Sequence, residues 1–346
     1  MKYGIMTYHN IPNFGAILQA YALCKTIRKL GYDCEIIDYT CENIKRRELL
    51  FKKTDNVLKN ILYRIFTWPH IEKKIRECRN YVELLYSKEK YNIDNISDSN
   101  DIYDGFISGS DMIWNLEVNG YDFNYFLNFV NENRKKISYG SSIGEKWDEE
   151  DLEKIKGLLL RYKFISAREE DTCNFIKEKL RLKCKHVMDP TMLITPYEWE
   201  KDLAEINEKN YVVVYFPSER LLEAAEKYCI ENKKKLIVFQ IVLPWKRKKS
   251  KIIYSPKEWL TYLKNADAVF TNSFHGLLFS IYFNKKVWTD NSSNRVESLL
   301  KNLHLDSCNL QIDPDCKSVI DYDMCNSEME KLRNISLEYL ELALRG

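Results

Sequence analysis

Short apolar runs that end in small polar or charged residues recur along this 346-residue chain. Such endings follow runs that begin near residues 106, 136, 164, 186 and 266. Residues 2–39 alternate in the order strand, helix, strand, with apolar positions at helical spacing over 17–30 and Gly31 at the helix end. A βαβ start predicts a parallel sheet. The recurrence therefore predicts an α/β fold with a row of polar turns along one edge of a sheet.

A chain of this length is expected to hold two domains, because single cores stop growing beyond about 250–300 residues. We predict an N-terminal domain over residues 1–193 with a helical insertion at about 41–100, where Lys, Arg, Glu and aromatic residues accumulate. A second α/β domain is predicted over 194–326, and a charged C-terminal helix over 327–346.

Charge and cysteine usage exclude several classes of function. The 53 basic and 51 acidic residues leave a net charge of +2, so nucleic acid is not expected as a partner. The ten cysteines form no CxxC pair and no His/Cys cluster with zinc-ligand spacing. They are expected to be reduced in a cytoplasmic protein that holds no metal. The first loop contains Asn13 and Gly15 but lacks the GxGxxG pattern of dinucleotide sites.

Two basic stretches leave a question of membrane contact open. Residues 57–68 predict an amphipathic helix, which either covers the protein surface or lies at a membrane surface. Residues 245–249, Trp-Lys-Arg-Lys-Lys, form either a solvated loop or a contact with anionic lipid at the inner face of the membrane. No apolar run approaches the roughly 20 residues of a membrane-spanning helix.

The polar turn at residues 271–276, Thr-Asn-Ser-Phe-His-Gly, is the strongest candidate site. It lies between a short apolar run and an apolar helix, where α/β proteins bind ligands at the carboxyl ends of strands. Small polar groups and backbone N–H groups at a helix start favour an anion. His275 could also transfer a proton.

Taken together, these motifs resemble the polysaccharide pyruvyl transferase family. The matching segments are residues 13–23, 107–111 with 114–115, 137–142, 165–169, 188–191 and 271–276. They extend over nearly the whole chain. The resemblance implies a fold like that of GT-B glycosyltransferases, with two Rossmann-like domains facing across a cleft and the donor bound by the C-terminal one. It also implies phosphoenolpyruvate as a co-substrate, with no other cofactor.

The family resemblance implies a reaction and a set of partners. Pyruvate is moved from phosphoenolpyruvate onto a pair of sugar hydroxyls, as a ketal, in the precursor of a surface polysaccharide such as a capsule or exopolysaccharide. The acceptor is a sugar or a lipid-linked oligosaccharide. The sequence makes no prediction of an oligomeric state.

The donor carries a carboxylate and a phosphate, which fixed cations would hold. The resemblance places Arg168 and His275 at the donor, His275 as acid/base or phosphate ligand. Arg168 has the alternative of a salt bridge with Glu169 or Glu170, and His275 that of a core histidine. Arg295 stands about where relatives carry a basic residue, often lysine; its alternative is a surface arginine at a helix start. The residues Ser273, Asn272 and Gly276 complete the predicted donor site.

Asp111 is the predicted base for a sugar hydroxyl, with capping of the following helix as its alternative. Asn13, Gly15, Ser110 and Ser141 are predicted on the acceptor side, or as turn-forming residues. Asp189 is expected to fix a turn. Two other functions stay open: a GT-B-like glycosyltransferase that uses a nucleotide-sugar, and a non-catalytic glycan-binding or assembly protein.

Overall fold

The structure is a computed structural model that describes residues 1–49, 57–201, 203–244, 249–291 and 293–346. Its strands are β1 (Lys2–Met6), β2 (Asp33–Tyr39), β3 (Tyr86–Tyr91), β4 (Gly105–Ser108), β5 (Lys135–Ser138), β6 (Ser166–Ala167), β7 (Lys185–His186), β8 (Tyr211–Tyr215), β9 (Lys235–Phe239), β10 (Ser250–Lys251), β11 (Ala268–Thr271) and β12 (Lys286–Trp288).

The α-helices are α1 (Phe14–Lys29), α2 (Glu42–Leu49), α3 (Val57–Phe66), α4 (Trp68–Tyr81), α5 (Leu116–Asn119), α6 (Leu152–Leu159), α7 (Glu170–Phe175), α8 (Pro196–Glu200), α9 (Glu219–Asn232), α10 (Pro256–Asn265), α11 (Phe274–Tyr282), α12 (Asn294–Asn302) and α13 (Tyr322–Arg345). A π-helical segment, Ile176–Leu180, continues α7. None of these helices is long and apolar enough to cross a membrane.

The chain divides into two compact units. Unit 1 comprises Met1–Leu50, Val82–Ile194 and Glu330–Gly346, and unit 2 comprises Phe51–Tyr81 and Thr195–Met329. The predicted domain boundaries stay predictions, since compactness alone does not show which segments fold independently.

Unit 1 contains a five-stranded sheet in the order β3-β2-β1-β4-β5, with every pair parallel. The bridges Ile137↔Phe164 and Ser141↔Ala167 lead from β5 to the small parallel pair β6-β7. Within the unit, α13 is joined to the sheet because Tyr339 donates a hydrogen bond to the Ser138 carbonyl at 2.8 Å.

Unit 2 repeats this topology in the order β10-β9-β8-β11-β12, again all parallel. Its central strand β8, Tyr-Val-Val-Val-Tyr, is buried along its whole length. A continuous β-branched run is typical of a parallel strand that is covered on both faces. The order 3-2-1-4-5 is that of a Rossmann-like half, in which ligands bind where the strand order reverses. The predicted α/β class with parallel sheets is therefore confirmed.

Residues 41–100 differ in part from the predicted helical insertion. The structure has α2, α3 and α4 there, but it also has the edge strand β3. The sequence of β3, Tyr-Ser-Lys-Glu-Lys-Tyr, is mostly polar because three of its side chains are exposed. An edge strand of this kind lacks the apolar run by which the other strands were recognised.

Candidate functional site

In unit 1, polar side chains follow the carboxyl ends of β1, β4, β5 and β6. After β1, Asn13 caps α1: its side-chain oxygen accepts from the backbone N–H groups of Gly15 and Ala16 at 3.0 and 3.4 Å. Gly15 is buried in the first turn of that helix. The turn-forming alternative therefore describes both residues, and their predicted place on the acceptor side stays a prediction.

The loop after β4 holds Asp111 in an unusual backbone conformation. Its φ is 76°, in the left-handed region that non-glycine residues rarely adopt. The Asp111 carboxylate accepts a hydrogen bond from the Met112 N–H at 2.9 Å and is almost fully buried. The next helix, α5, is capped instead by Asn115, whose side chain accepts from Val118 at 2.9 Å. The helix-capping alternative for Asp111 is therefore wrong.

Two buried serines lie beside Asp111. Ser141 pairs with Asp111 in a parallel bridge, and its hydroxyl donates to the carbonyls of Gly109 and Ser108 at 3.0 and 3.2 Å. The Ser141 hydroxyl thus joins the ends of β4 and β5. The Ser110 hydroxyl has no hydrogen-bond partner among the residues that the structure describes. Asp111, Ser110 and Ser141 are brought together as the sequence predicts.

Arg168, directly after β6, lies in a buried ion-pair cluster. Its Nε donates to Glu169 and its Nη1 to Asp189, both at 2.9 Å, and 3% of its side chain is exposed. Burial alone would lower the pKa of the guanidinium, but the carboxylates of Glu169, Asp189 and Asp111 together raise that pKa. The salt-bridge alternative is confirmed for Glu169, while the donor-binding role of Arg168 stays a prediction.

Asp189 has the structural role that its sequence context predicts. Its carboxylate accepts from the Thr191 N–H at 3.0 Å and from the Thr191 hydroxyl at 2.7 Å, which caps the short turn Pro190–Leu193. Nearby, the Nε2 of His186 lies 3.0 Å from the Arg168 carbonyl, and burial lowers the pKa of this imidazole.

In unit 2, the turn after β11 is held by its own side chains. Ser273 caps α11 by accepting from the Gly276 N–H at 3.2 Å, and the Ser273 N–H donates to the Thr271 hydroxyl at 3.1 Å. A Cβ at Gly276 would lie 2.6 Å from the Thr271 Oγ1. Glycine is therefore required at 276 by the tightness of the turn.

Asn272 connects this turn to the segment after β12. Its Oδ1 accepts from the Asp290 N–H at 2.9 Å, and its carbonyl accepts from the Asn291 Nδ2 at 2.8 Å. The Asn291 Oδ1 in turn accepts from the N–H of Ser293, the cap residue of α12, at 2.9 Å. Two hydrogen-bonded steps thus link the start of α11 to the start of α12.

His275 and Arg295 occupy matching places in these two helices. Each is the second residue of its helix, His275 in α11 and Arg295 in α12. His275 is 6% exposed and its ring contacts Phe274 edge-on at 5.2 Å, whereas Arg295 is half-buried. Helix starts carry partial positive charge, so both residues lie where an anion is favoured.

Sequence reasoning missed several polar residues that also follow strands directly. After β12 these are Asp290 and Asn291, and Asp290 accepts from Ser218, the α9 cap after β8, at 2.8 Å. After β1, His9 is buried with its Nε2 3.4 Å from Asp38. The same rule that found the other candidates, a polar residue at a strand end, would have found these.

A sequence model of the polysaccharide pyruvyl transferase family matches residues 13–289. The chain belongs to this family. No curated protein sequence matches the chain. Among solved structures, S. aureus MnaA in complex with UDP is similar, with 12% identity, a TM-score of 0.52, and coverage of 96% of this chain and 91% of that one. The UDP-GlcNAc 2-epimerase of Methanocaldococcus jannaschii, in complex with UDP-GlcNAc and UDP, is also similar, with 15% identity and a TM-score of 0.48. The match covers 97% of this chain and 93% of that one. The similarity to MnaA confirms the predicted GT-B-like fold.

Two further expectations concern the surroundings of this site. In the described parts of the chain no group of three or more His, Cys, Asp or Glu side chains could hold a metal ion. All ten cysteines are free thiols. Of the stretch considered for membrane contact, residues 245–248 lie outside the described residues. The absence of a metal and the membrane contact therefore stay predictions.

Proposed function

We propose that this protein transfers the pyruvyl group of phosphoenolpyruvate to two hydroxyls of a sugar in a surface-polysaccharide precursor. The observation that carries this proposal is the hydrogen-bonded link between the starts of α11 and α12, which present His275 and Arg295. Two helix starts, one imidazole and one guanidinium make a region suited to a small, highly charged anion.

The proposed reaction balances without any other co-reactant. The methylene carbon of the donor gains a proton and becomes a methyl group, which leaves an oxocarbenium-like carbon. Two sugar oxygens form bonds to that carbon, and its bond to the phosphate oxygen breaks. Of the two hydroxyl protons, one is balanced by the proton on the methyl group and the other leaves with inorganic phosphate.

In unit 2, we assign donor binding to the turn and to the two helix starts. Asn272, Ser273 and Gly276 shape the turn, and Arg295 supplies a cation that can pair with a carboxylate or phosphate in two-point geometry. His275 either protonates the enol or holds the phosphate. As a general acid or base it would contribute on the order of 10²–10⁴ in rate.

In unit 1, we assign the acceptor to the loops that hold Asn13, Gly15, Ser110, Asp111 and Ser141. Asp111 is the proposed base for a sugar hydroxyl, supported by a strained backbone of the kind that clusters at functional sites.

Arg168 already pairs with Glu169 and Asp189, so we propose that it orients these two carboxylates and does not bind the donor directly. The acceptor is a sugar or a lipid-linked oligosaccharide, and the proposed place of the reaction is the cytoplasm.

Two alternative functions predict different substrates or no turnover. The fold neighbour in complex with UDP favours a glycosyltransferase that uses a nucleotide-sugar as the first alternative. A non-catalytic glycan-binding protein would bind sugar and turn over neither donor.

The test incubates the full chain with phosphoenolpyruvate and a panel of free and lipid-linked sugars. Phosphate release and the pyruvyl mass gain of the sugar are measured together, with His275→Ala as the inactive control. Transfer and phosphate release in equal amounts support the proposal. Turnover, or stabilisation in a thermal-shift assay, with UDP-sugars alone would favour the glycosyltransferase, and sugar binding that survives His275→Ala without any turnover would favour the glycan-binding protein.

A further inference from the structure

Two cysteines of unit 1 bring their sulfur atoms into direct contact. The sulfurs of Cys173, on α7, and Cys184, just before β7, lie 3.0 Å apart. Both side chains are buried, and neither has a role in the proposed reaction. The sulfurs of a disulfide lie about 2.05 Å apart, so an approach of roughly 1 Å would join them.

One of these thiols lines an open cavity. The cavity has a volume of about 470 Å³, and Cys184 lies in its wall together with Tyr162, Phe164, Ile165, Leu182 and Tyr339. The lysines 163, 183 and 185 also line it. Cys184 is 7% exposed and lines the cavity, whereas Cys173 is fully buried, so a small oxidant in the cavity would meet Cys184 first.

The contact between the sulfurs favours ionisation of the pair. A hydrogen bond from Cys184 lowers the pKa of the Cys173 thiol below its ordinary value, against the effect of burial. The same hydrogen bond raises the pKa of Cys184. The nearby Lys177 stabilises negative charge on either sulfur. The contact thus favours one shared thiolate in the pair, and the thiolate is the form that reacts with oxidants.

We propose that Cys173 and Cys184 form a redox-active dithiol that closes to a disulfide when a peroxide enters the cavity. The proton that remains between the two sulfurs passes to Cys173, and the thiolate left on Cys184 attacks one peroxide oxygen. The O–O bond breaks and a sulfenic acid forms, while the departing hydroxide takes up the proton that the pair had released and leaves as water. Cys173 then attacks the sulfenic sulfur, an S–S bond forms, and the second oxygen leaves as water. Two thiols lose two electrons and two protons, and one hydrogen peroxide becomes two waters.

The position of this pair gives the modification a structural consequence. The Cys173 N–H donates to the carbonyl of Glu169 at 3.2 Å, and the Glu169 side chain accepts from Arg168. A disulfide closes a loop between residues that are 11 apart in sequence, through the π-helical segment Ile176–Leu180. Closing a loop restricts the unfolded chain, so the oxidised protein should melt at a higher temperature.

The experiment oxidises the reduced full chain with hydrogen peroxide, blocks the remaining thiols with N-ethylmaleimide and digests with trypsin. Cleavage after Lys177, Lys179, Arg181 and Lys183 separates the two cysteines, so a disulfide appears as a linked peptide pair that dithiothreitol splits. We expect this pair from the wild type and from Cys24→Ser, and its loss in Cys173→Ser and Cys184→Ser. Cys24 is a matched control because it is equally buried in unit 1 and donates to the Cys34 carbonyl at 3.3 Å.

If a serine variant fails to fold, the presence or absence of the linked peptide pair in the wild-type protein still decides the test. Blocked thiols without a linked pair, or sulfinic acid at Cys184 as the sole product, would overturn the proposal. A second measurement compares the melting temperature before and after oxidation: it should rise in the wild type, return with dithiothreitol and stay unchanged in Cys184→Ala. A melting temperature of the linked wild type that does not rise would contradict the predicted stabilisation.

Discussion

The carboxyl edges of the two sheets share one topology and differ in chemistry. In unit 1, charge is concentrated and compensated inside the protein, with Arg168 between Glu169 and Asp189. In unit 2, the turn after β11 is built mainly from neutral amides and hydroxyls, beside the starts of α11 and α12 that carry His275 and Arg295. The Asp290 carboxylate next to this turn accepts from Ser218. The same strand order therefore positions carboxylates around a buried arginine in one unit and a hydrogen-bonded turn beside two helix starts in the other.

This difference supports the proposed division of the two substrates between the two sheet edges. On the proposed function, the helix starts of unit 2 suit the phosphoenolpyruvate anion better than the buried carboxylates of unit 1 do. The proposed acceptor hydroxyls, in contrast, suit neutral groups and a carboxylate base, the role proposed for Asp111. The comparison thus predicts that changes at the unit 2 edge affect the donor first, while changes at Arg168 affect folding first.

The largest effect is expected for His275→Ala. If His275 acts as acid or base, the rate of pyruvyl transfer should fall on the order of 10²–10⁴-fold with little change in the KM for phosphoenolpyruvate. If it holds the phosphate, the KM should rise instead. Steady-state kinetics with varied phosphoenolpyruvate distinguish the two.

A control for this change is His304→Asn, since His304 is exposed in the same unit and asparagine tolerates its φ of 56°. Its kinetics should match those of the wild type. Unchanged transfer by His275→Ala would remove the unit 2 edge from the donor site.

Arg168→Leu should mainly affect stability. It leaves the buried carboxylates of Glu169 and Asp189 without their cation, which costs about 3–5 kcal/mol of unfolding free energy. Urea unfolding measures this loss.

The matched control for Arg168→Leu keeps the leucine and adds Glu169→Gln and Asp189→Asn, which removes the unpaired charge and should recover part of the stability. A leucine variant that is as stable as the wild type but fails to bind phosphoenolpyruvate would reverse the comparison and restore Arg168 as a donor ligand.

Gly276→Ala is expected to cost about 1–3 kcal/mol of unfolding free energy, because the added Cβ overlaps the Thr271 hydroxyl that holds the turn. Gly157→Ala provides a control of opposite sign. Gly157 lies in α6 with nothing within 4 Å of an added Cβ, so alanine should stabilise that helix by about 0.5–1 kcal/mol. Thermal unfolding measures the change in stability of both variants. Equal changes for Gly276→Ala and Gly157→Ala would contradict the claim that the turn after β11 has no room for a Cβ.

Much of the fold could be predicted because most strands of the two five-stranded sheets have a local apolar signal; the edge strands β3 and β10 do not. The polar strand ends then located Asp111, Ser141, Asn272 and His275 correctly at one edge of each sheet. Of the two partners of Arg168, Glu169 was predicted from the sequence, but Asp189 could not be found locally, since it is 21 residues away and approaches only through the pairing of β6 with β7. Local pattern identifies which residues lie at an edge, whereas ion pairing within the edge depends on tertiary structure.

The smallest effect concerns the backbone at Asp111. Its φ of 76° costs a non-glycine residue about 1 kcal/mol, so Asp111→Gly should be more stable than Asp111→Ala by about that amount. The two variants lose the same hydrogen bond to Met112, which isolates the backbone contribution. Urea unfolding measures the difference, and pyruvyl transfer measures the function. If the strain is kept because the carboxylate acts on the acceptor, both variants should lose transfer although their stabilities differ. Equal stabilities would show that the loop relaxes without the carboxylate, and unimpaired transfer would leave unit 1 without its proposed base.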